Sequence, residues 1–163
     1  MSLISLEVDI ATQKMYVYEN GKCMQEYIIS TGKKGAGEIY GSEQTPRGLH
    51  IVRARFGASR PINSVFVNRR ATGEIYDLAL REKFPDRDWI LTRILWLSGL
   101  EKEKNRNTMS RHIYIHGAPD DVVFGVPGSR GCVRMRNQDI IELFAKVSVG
   151  TKILIKDDGL PRD

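Results

Sequence analysis

A chain of 163 residues, 41% apolar and 28% charged, suits one globular domain with a buried core. Its formal charge of +5 fits an anionic partner (nucleic acid, a membrane surface or a carboxylate-rich small molecule) and equally fits a basic protein with no such partner. Two cysteines, Cys23 and Cys132, exclude a disulfide framework, and the longest apolar stretch, WILTRILWLSGL (89–100), is broken by Arg93 and too short to span a bilayer.

The opening MSLISLEVDI carries Glu7 and Asp9 without a basic cluster, unlike a secretory signal. A cytoplasmic location is therefore expected, with a removed leader as the alternative. SLEVDI (5–10), KMYVYE (14–19) and CMQEYIIST (23–31) predict a three-strand meander, with Asn20-Gly21 as the second turn. Residues 32–48 are glycine-rich and predict a long loop, after which HIVRARF (50–56) returns to strand. The charged stretch around Pro85 predicts a turn of helix or a loop, and ILTRILWL (90–97) a buried strand. EKEKNRNTMS (101–110) reads as a solvated loop. RHIYIH (111–116) alternates, placing Ile113 and Ile115 on one face and His112, Tyr114 and His116 on the other. A helix follows, capped by Asn137, with Ile140, Ile141, Leu143, Phe144 and Val147 as its apolar stripe. Gly150 ends it, and TKILIK (151–156) is the last strand. The expected fold is mainly β, closed or sandwiched, with one packed helix (α+β), in a single domain over 1–163.

Among candidate sites, His112 and His116 have the i, i+4 spacing of helical zinc ligands. On a strand that spacing separates them by roughly 13 Å, so no metal is expected. GKKGAG (32–37) lacks the order of a phosphate-binding loop, and Asn68-Arg69-Arg70 alone predicts no specific nucleic-acid binding. Cys132 stands out. Arg130, Arg134 and Arg136 surround it with positive charge, which would lower a thiol pKa, and Gly131 allows a sharp turn that presents backbone amides to an oxyanion. His116 ends its strand at Gly117, which suits an imidazole exposed at the rim of a sheet. A loop punctuated by Pro119, Gly125, Pro127 and Gly128 can fold it back toward Cys132. The residues alone leave a second reading open, with Cys132 a small buried hydrophobe and His116 a satisfied strand-end histidine. Cys23, without basic neighbours, reads as inert.

At these residues the chain resembles the L,D-transpeptidase (YkuD-like) catalytic domain. The resemblance rests on Ile115-His116-Gly117, Ser129-Arg130-Gly131-Cys132-Val133-Arg134-Met135, Thr45-Pro46-Arg47-Gly48 and Val149-Gly150-Thr151, and runs from about residue 3 to 156. It implies a β-sandwich-like fold and a cysteine acyl transfer on peptidoglycan tetrapeptides or muropeptides, without a cofactor or a membrane. Cys132 would be the nucleophile and His116 its base, oriented by the Gly117 carbonyl, with amides around Gly131 and Cys132 holding the oxyanion. The bond attacked would join meso-diaminopimelate to the terminal D-alanine, leaving a thioester. The family commonly has His where this chain has Arg130. That substitution would leave His116 as the only nearby base and add a guanidinium for a substrate carboxylate. Arg130 or Arg134 is expected to grip that carboxylate, with Ser129 and Tyr114 beside the substrate. A cytoplasmic location favours hydrolysis, an L,D-carboxypeptidase in murein recycling. The alternative is transfer to an amine, and a remote one is a silent binder of peptidoglycan fragments. A reactive Cys132 is expected to alkylate far faster than Cys23.

Overall fold

Alternating apolar residues build the first strands, and the computed structural model, which describes residues 3–160, has them as β1 (Ile4–Asp9), β2 (Lys14–Glu19) and β3 (Lys22–Ser30). Asn20 and Gly21 both have positive φ, 51° and 83°, the tight turn whose twist matches an antiparallel hairpin. After the long loop come β4 (Gly48–Phe56), a hairpin of β5 (Ser64–Val67) and β6 (Arg70–Ile75), and a short helix α1 (Leu78–Lys83) capped by the Asp77 carboxylate. The hairpin escapes a sequence reading because Asn68 and Arg69, not an Asn-Gly pair, take its positive-φ positions.

The second half contributes β7 (Leu91–Gly99), β8 (Tyr114–Ala118), β9 (Val133–Arg136), α2 (Asn137–Lys146) and β10 (Lys152–Lys156). β8 starts later than the alternation of 111–116 predicts, because His112 sits at φ 57° and interrupts extended backbone. The 101–110 segment is mostly exposed but not simply solvated. Asn105 and Thr108 are buried, Asn105 donates to the carbonyls of Arg47 and Leu49, and the Thr108 hydroxyl lies 2.9 Å from His50 Nε2.

The strands pair in the order β4-β10-β1-β2-β3-β9-β8-β7, and β7 pairs back onto β4, so eight strands close a ring. Among the named strands β1–β10 and β8–β9 pair in parallel, and the rest are antiparallel. The β5–β6 hairpin hangs from β7. Leu6, Val8, Met15, Val17, Ile29, Leu95, Leu97, Ile115, Val133, Met135, Ile153 and Ile155 turn inward to one core, completed by Ile140, Leu143 and Phe144 of α2. The predicted stripe thus reaches the core through Ile140, Leu143, Phe144 and Val147, while Ile141 is only half-buried at its edge and outside the cluster. Asn137, however, is the first helical residue and not the cap, a position held by Arg136 without a side-chain bond.

Candidate active site

The parallel pairing of β8 with β9 decides which side chains meet. Ile115 stands opposite Val133, His116 opposite Arg134 and Gly117 opposite Met135. Successive side chains alternate in direction, so Ile113, Ile115, Val133 and Met135 fill the core while Tyr114, His116, Cys132 and Arg134 share the other face. There Tyr114, His116, Ser129, Arg130 and Cys132 line one cavity of about 270 Å³, together with Asp88, Arg111 and His112.

The turn carrying Cys132 is held from several sides. Gly131 has φ 120°, and a Cβ there would lie 3.0 Å from the Gln44 carbonyl oxygen, so the turn needs glycine. The Ser129 hydroxyl donates to the Cys132 carbonyl (2.6 Å) and accepts from the Gly131 amide (3.1 Å). Thr45 Oγ1 donates to the Gly131 carbonyl (2.9 Å) and accepts from the Gly32 amide (2.8 Å), which ties the Thr-Pro-Arg-Gly segment to the Cys132 turn. Arg111 bonds the carbonyls of Gly37 (3.1 Å) and Gln44 (2.5 Å), fastening the same long loop.

His116 Nδ1 lies 2.6 Å from the Gly117 carbonyl oxygen. A carbonyl only accepts, so Nδ1 carries the proton and Nε2 is left as a base. Gly117 has no room for a side chain. A Cβ would approach Asn137 Oδ1 to 2.5 Å and the Leu91 carbonyl to 2.6 Å. Asn137, buried at the start of α2, receives the Thr92 hydroxyl (2.6 Å) and donates to Asn63 (3.0 Å). Thr92 lies in an irregularity of β7 at φ 76°, a strained conformation for a β-branched residue, and this aims its hydroxyl at Asn137.

The charge state differs from the one the arginines suggest. Cys132 is half-buried and packs against the cluster of Phe66, Ile94 and Tyr114. Burial pushes its thiol up to about 12, with the Tyr114 amide, Arg134 and Arg111 offsetting only part of it. The Tyr114 N–H donates to Sγ (3.3 Å), and the S–H reaches the His112 carbonyl (3.4 Å). Burial likewise holds His116 below the ordinary histidine value, with Asp88 and the Gly117 carbonyl pulling it back up. Burial thus favours a neutral thiol and a neutral imidazole on the lining of one cavity.

Several expectations are therefore corrected. His116 is not exposed at a rim: it is 1% exposed, because its strand continues to Ala118 and pairs on both sides. Nor is it the only imidazole, since His112 lines the same cavity. Arg136 leaves the site and lies over the Phe124 ring. Arg134 bonds Asp88 (3.3 Å) and the Gly128 carbonyl (3.1 Å) and lines a separate cavity of about 140 Å³. Arg130 stays exposed at the cavity mouth, without the hydrogen bonds that fix Arg111 and Arg134. The Tyr114 hydroxyl is held by Arg69 (2.8 Å), whose guanidinium stacks on Trp96. Asp88, Arg111 and His112 also line the cavity and Asn137 backs Gly117, and the sequence motifs point to none of the four in these places. Asp88 and Arg111 sit in charge-rich stretches where nothing marks them, and Asn137 looked like a cap.

Among the described residues no group of His, Cys, Asp and Glu gathers as metal ligands, and no described helix is long and apolar enough to cross a membrane. A larger cavity of about 410 Å³ lies between the start of β1 and the end of α2 and touches none of these residues.

Residues 4–155 match the L,D-transpeptidase catalytic domain family, YkuD. The probable L,D-transpeptidase YcfS of Escherichia coli is 26% identical over 91% of this chain and 42% of its own length. An L,D-transpeptidase structure from Mycobacterium smegmatis superposes with a TM-score of 0.62 at 20% identity, covering 95% of this chain and 59% of that one. L,D-transpeptidase 3 from Mycobacterium tuberculosis, in complex with a faropenem-derived adduct, gives a TM-score of 0.61 at 15% identity, covering 96% and 61%. The chain thus spans less than two thirds of the length of these relatives.

Proposed function

As the chain belongs to the L,D-transpeptidase catalytic-domain family, we propose that it is a cysteine acyl-transfer enzyme acting on the L,D bond of peptidoglycan tetrapeptide stems. The observation that carries this reading is the placement of Cys132 and His116 in one cavity, with Nδ1 of His116 committed to the Gly117 carbonyl.

His116 Nε2 takes the Cys132 proton as sulfur attacks the carbonyl between the diamino acid and D-alanine. A neutral pair makes this transfer part of the attack and not a prior ionisation. Backbone amides at the Cys132 turn receive the developing oxyanion, the Gly131 amide being shared with Ser129 Oγ. The intermediate collapses, the imidazolium returns its proton to the departing D-alanine nitrogen, and a thioester remains. Arg130, exposed where it lines the cavity and held by no salt bridge among the described residues, suits the substrate carboxylate better than Arg134, which Asp88 already occupies.

Water on the thioester makes an L,D-carboxypeptidase, and a cytoplasmic enzyme trimming recycled muropeptides would work this way. Transfer to an amine is the second reading, and a specific feature favours it. A further cleft of about 200 Å³, lined by Tyr40, Glu43 and Ser110, meets the Cys132 cavity at Arg111, His112 and Arg130 and offers an acceptor its own approach.

Mass spectrometry of a diaminopimelate tetrapeptide incubated with enzyme, with and without D-methionine, tests both. D-alanine release that vanishes in Cys132→Ala supports the acyl-transfer reading; release that survives the substitution refutes it. Tripeptide alone assigns hydrolysis, and an exchanged tetrapeptide or dimer assigns transfer.

A further inference from the structure

We propose that His112 is a second catalytic base, which takes the proton from the incoming ammonium before that amine attacks the thioester. The inference rests on the reading that Cys132 forms a thioester, and it arises from a proton inventory of the two clefts.

An amine acceptor arrives as an ammonium and has no lone pair until it loses a proton. On attack it must lose a second one as the C–N bond forms. His116 at the thioester stage is neutral, with Nδ1–H held by Gly117 and only Nε2 open, so it has room for one proton. That proton is the second one, which His116 then passes to the Cys132 sulfur as the C–S bond breaks. The first needs another acceptor. His116 lines the Cys132 cavity but not the neighbouring cleft, whereas Arg111, His112 and Arg130 are the residues common to both. Guanidiniums keep their protons at any working pH, which leaves the His112 imidazole as the shared group able to accept one.

His112 is also placed for the task. Its carbonyl receives the Cys132 S–H, so its backbone adjoins the nucleophile. Its φ of 57° turns the chain just before β8. The ring stacks on Tyr114 (centroids 6.4 Å apart, planes 24°) and lies 6.1 Å from Trp96, which limits its freedom while its exposure lets the proton pass to solvent. The charged groups around it are Arg111 and Arg130 in both clefts, Asp88 in the Cys132 cavity, Glu43 in the neighbouring cleft and Arg69 over Trp96.

Water needs no such prior deprotonation, so the ratio of transfer to hydrolysis isolates the role. His112→Asn keeps a residue that tolerates the left-handed backbone. His112→Gly tolerates it too and opens space for added imidazole. With tetrapeptide donor and D-methionine acceptor, both variants should lower that ratio about tenfold at pH 7, a deficit larger than any loss in single-turnover D-alanine release. The gap should close toward pH 10, where the acceptor is already an amine, and free imidazole should restore transfer in His112→Gly. A ratio unchanged by the substitutions, or lowered equally at every pH and deaf to imidazole, overturns the inference. So does a wild-type enzyme that forms the Cys132 adduct and only hydrolyses it, which would leave the acyl-enzyme reading standing. No adduct on Cys132 at all overturns both.

Discussion

The Cys132 thiol rests against Phe66, Ile94 and Tyr114, and this burial outweighs the Arg111 and Arg134 charges that favour a thiolate. Two consequences follow for solution chemistry. Iodoacetamide, which needs a thiolate, should modify Cys132 more slowly at pH 7 than the exposed Cys23, the reverse of what the arginine-rich motif suggests. Peptide mapping after timed alkylation checks this. In the proposed reaction the proton acceptor, His116, must be neutral, and burial holds it below the ordinary histidine value. The acid limb of kcat/KM should therefore lie below pH 6.5, and no ionisation of the free thiol should shape the profile between pH 7 and 9. Asn137 acts on the same pair through Gly117. Replacing it with alanine removes the acceptor of the Thr92 hydroxyl proton, leaving that oxygen only its bond from the Asn63 amide, and opens the wall behind Gly117, so Asn137→Ala should lower kcat about tenfold or more with little change in KM. That His116 and Cys132 belong to one cavity was legible because each sits beside a glycine in a recognisable order. Asn137 was not, because a helix cap and a buried brace begin with the same residue at the same place in the sequence.

Strands and loops extend that logic. The meander, β7 and α2 could be read from side-chain periodicity, since each buries one face in the core. The pairing of β8 with β9 could not, because nothing local tells a strand to run parallel to a neighbour 15 or more residues away. The same holds for Thr45, whose function is visible only when the loop after β3 is folded onto the Gly131 turn. Thr45→Val keeps the shape but removes a donor from the Gly131 carbonyl and an acceptor from the Gly32 amide. It should cost about 1–3 kcal/mol in urea unfolding and lower kcat through a loosened Cys132 turn. A melting curve unchanged from wild type would contradict the tie described here.

Stability of the entire fold has its own titrating group, remote from the chemistry. His50 is fully buried between the Gly48 carbonyl and the Thr108 hydroxyl, each 2.9 Å away, and burial brings it down to about 4. A histidine whose folded value lies below its unfolded value of 6.5 contributes stability that is complete above pH 6.5 and lost as pH falls toward 4. The loss amounts to about 3 kcal/mol at most, and His50→Gln should flatten that part of the stability curve. Chemical denaturation at a series of pH values gives the slope directly.

The ring of eight strands also constrains the order of events during synthesis. β10 lies between β1 and β4, so β1 waits for residues 152–156 before its second neighbour exists. While the ribosome is still adding α2, both flanking strands carry unpaired edges that invite association with other chains. Closure joins segments far apart in sequence and belongs to the slow class, on the order of milliseconds to seconds. A nascent chain of this kind stays open until β10 has emerged, and that interval is when a chaperone would have most to protect.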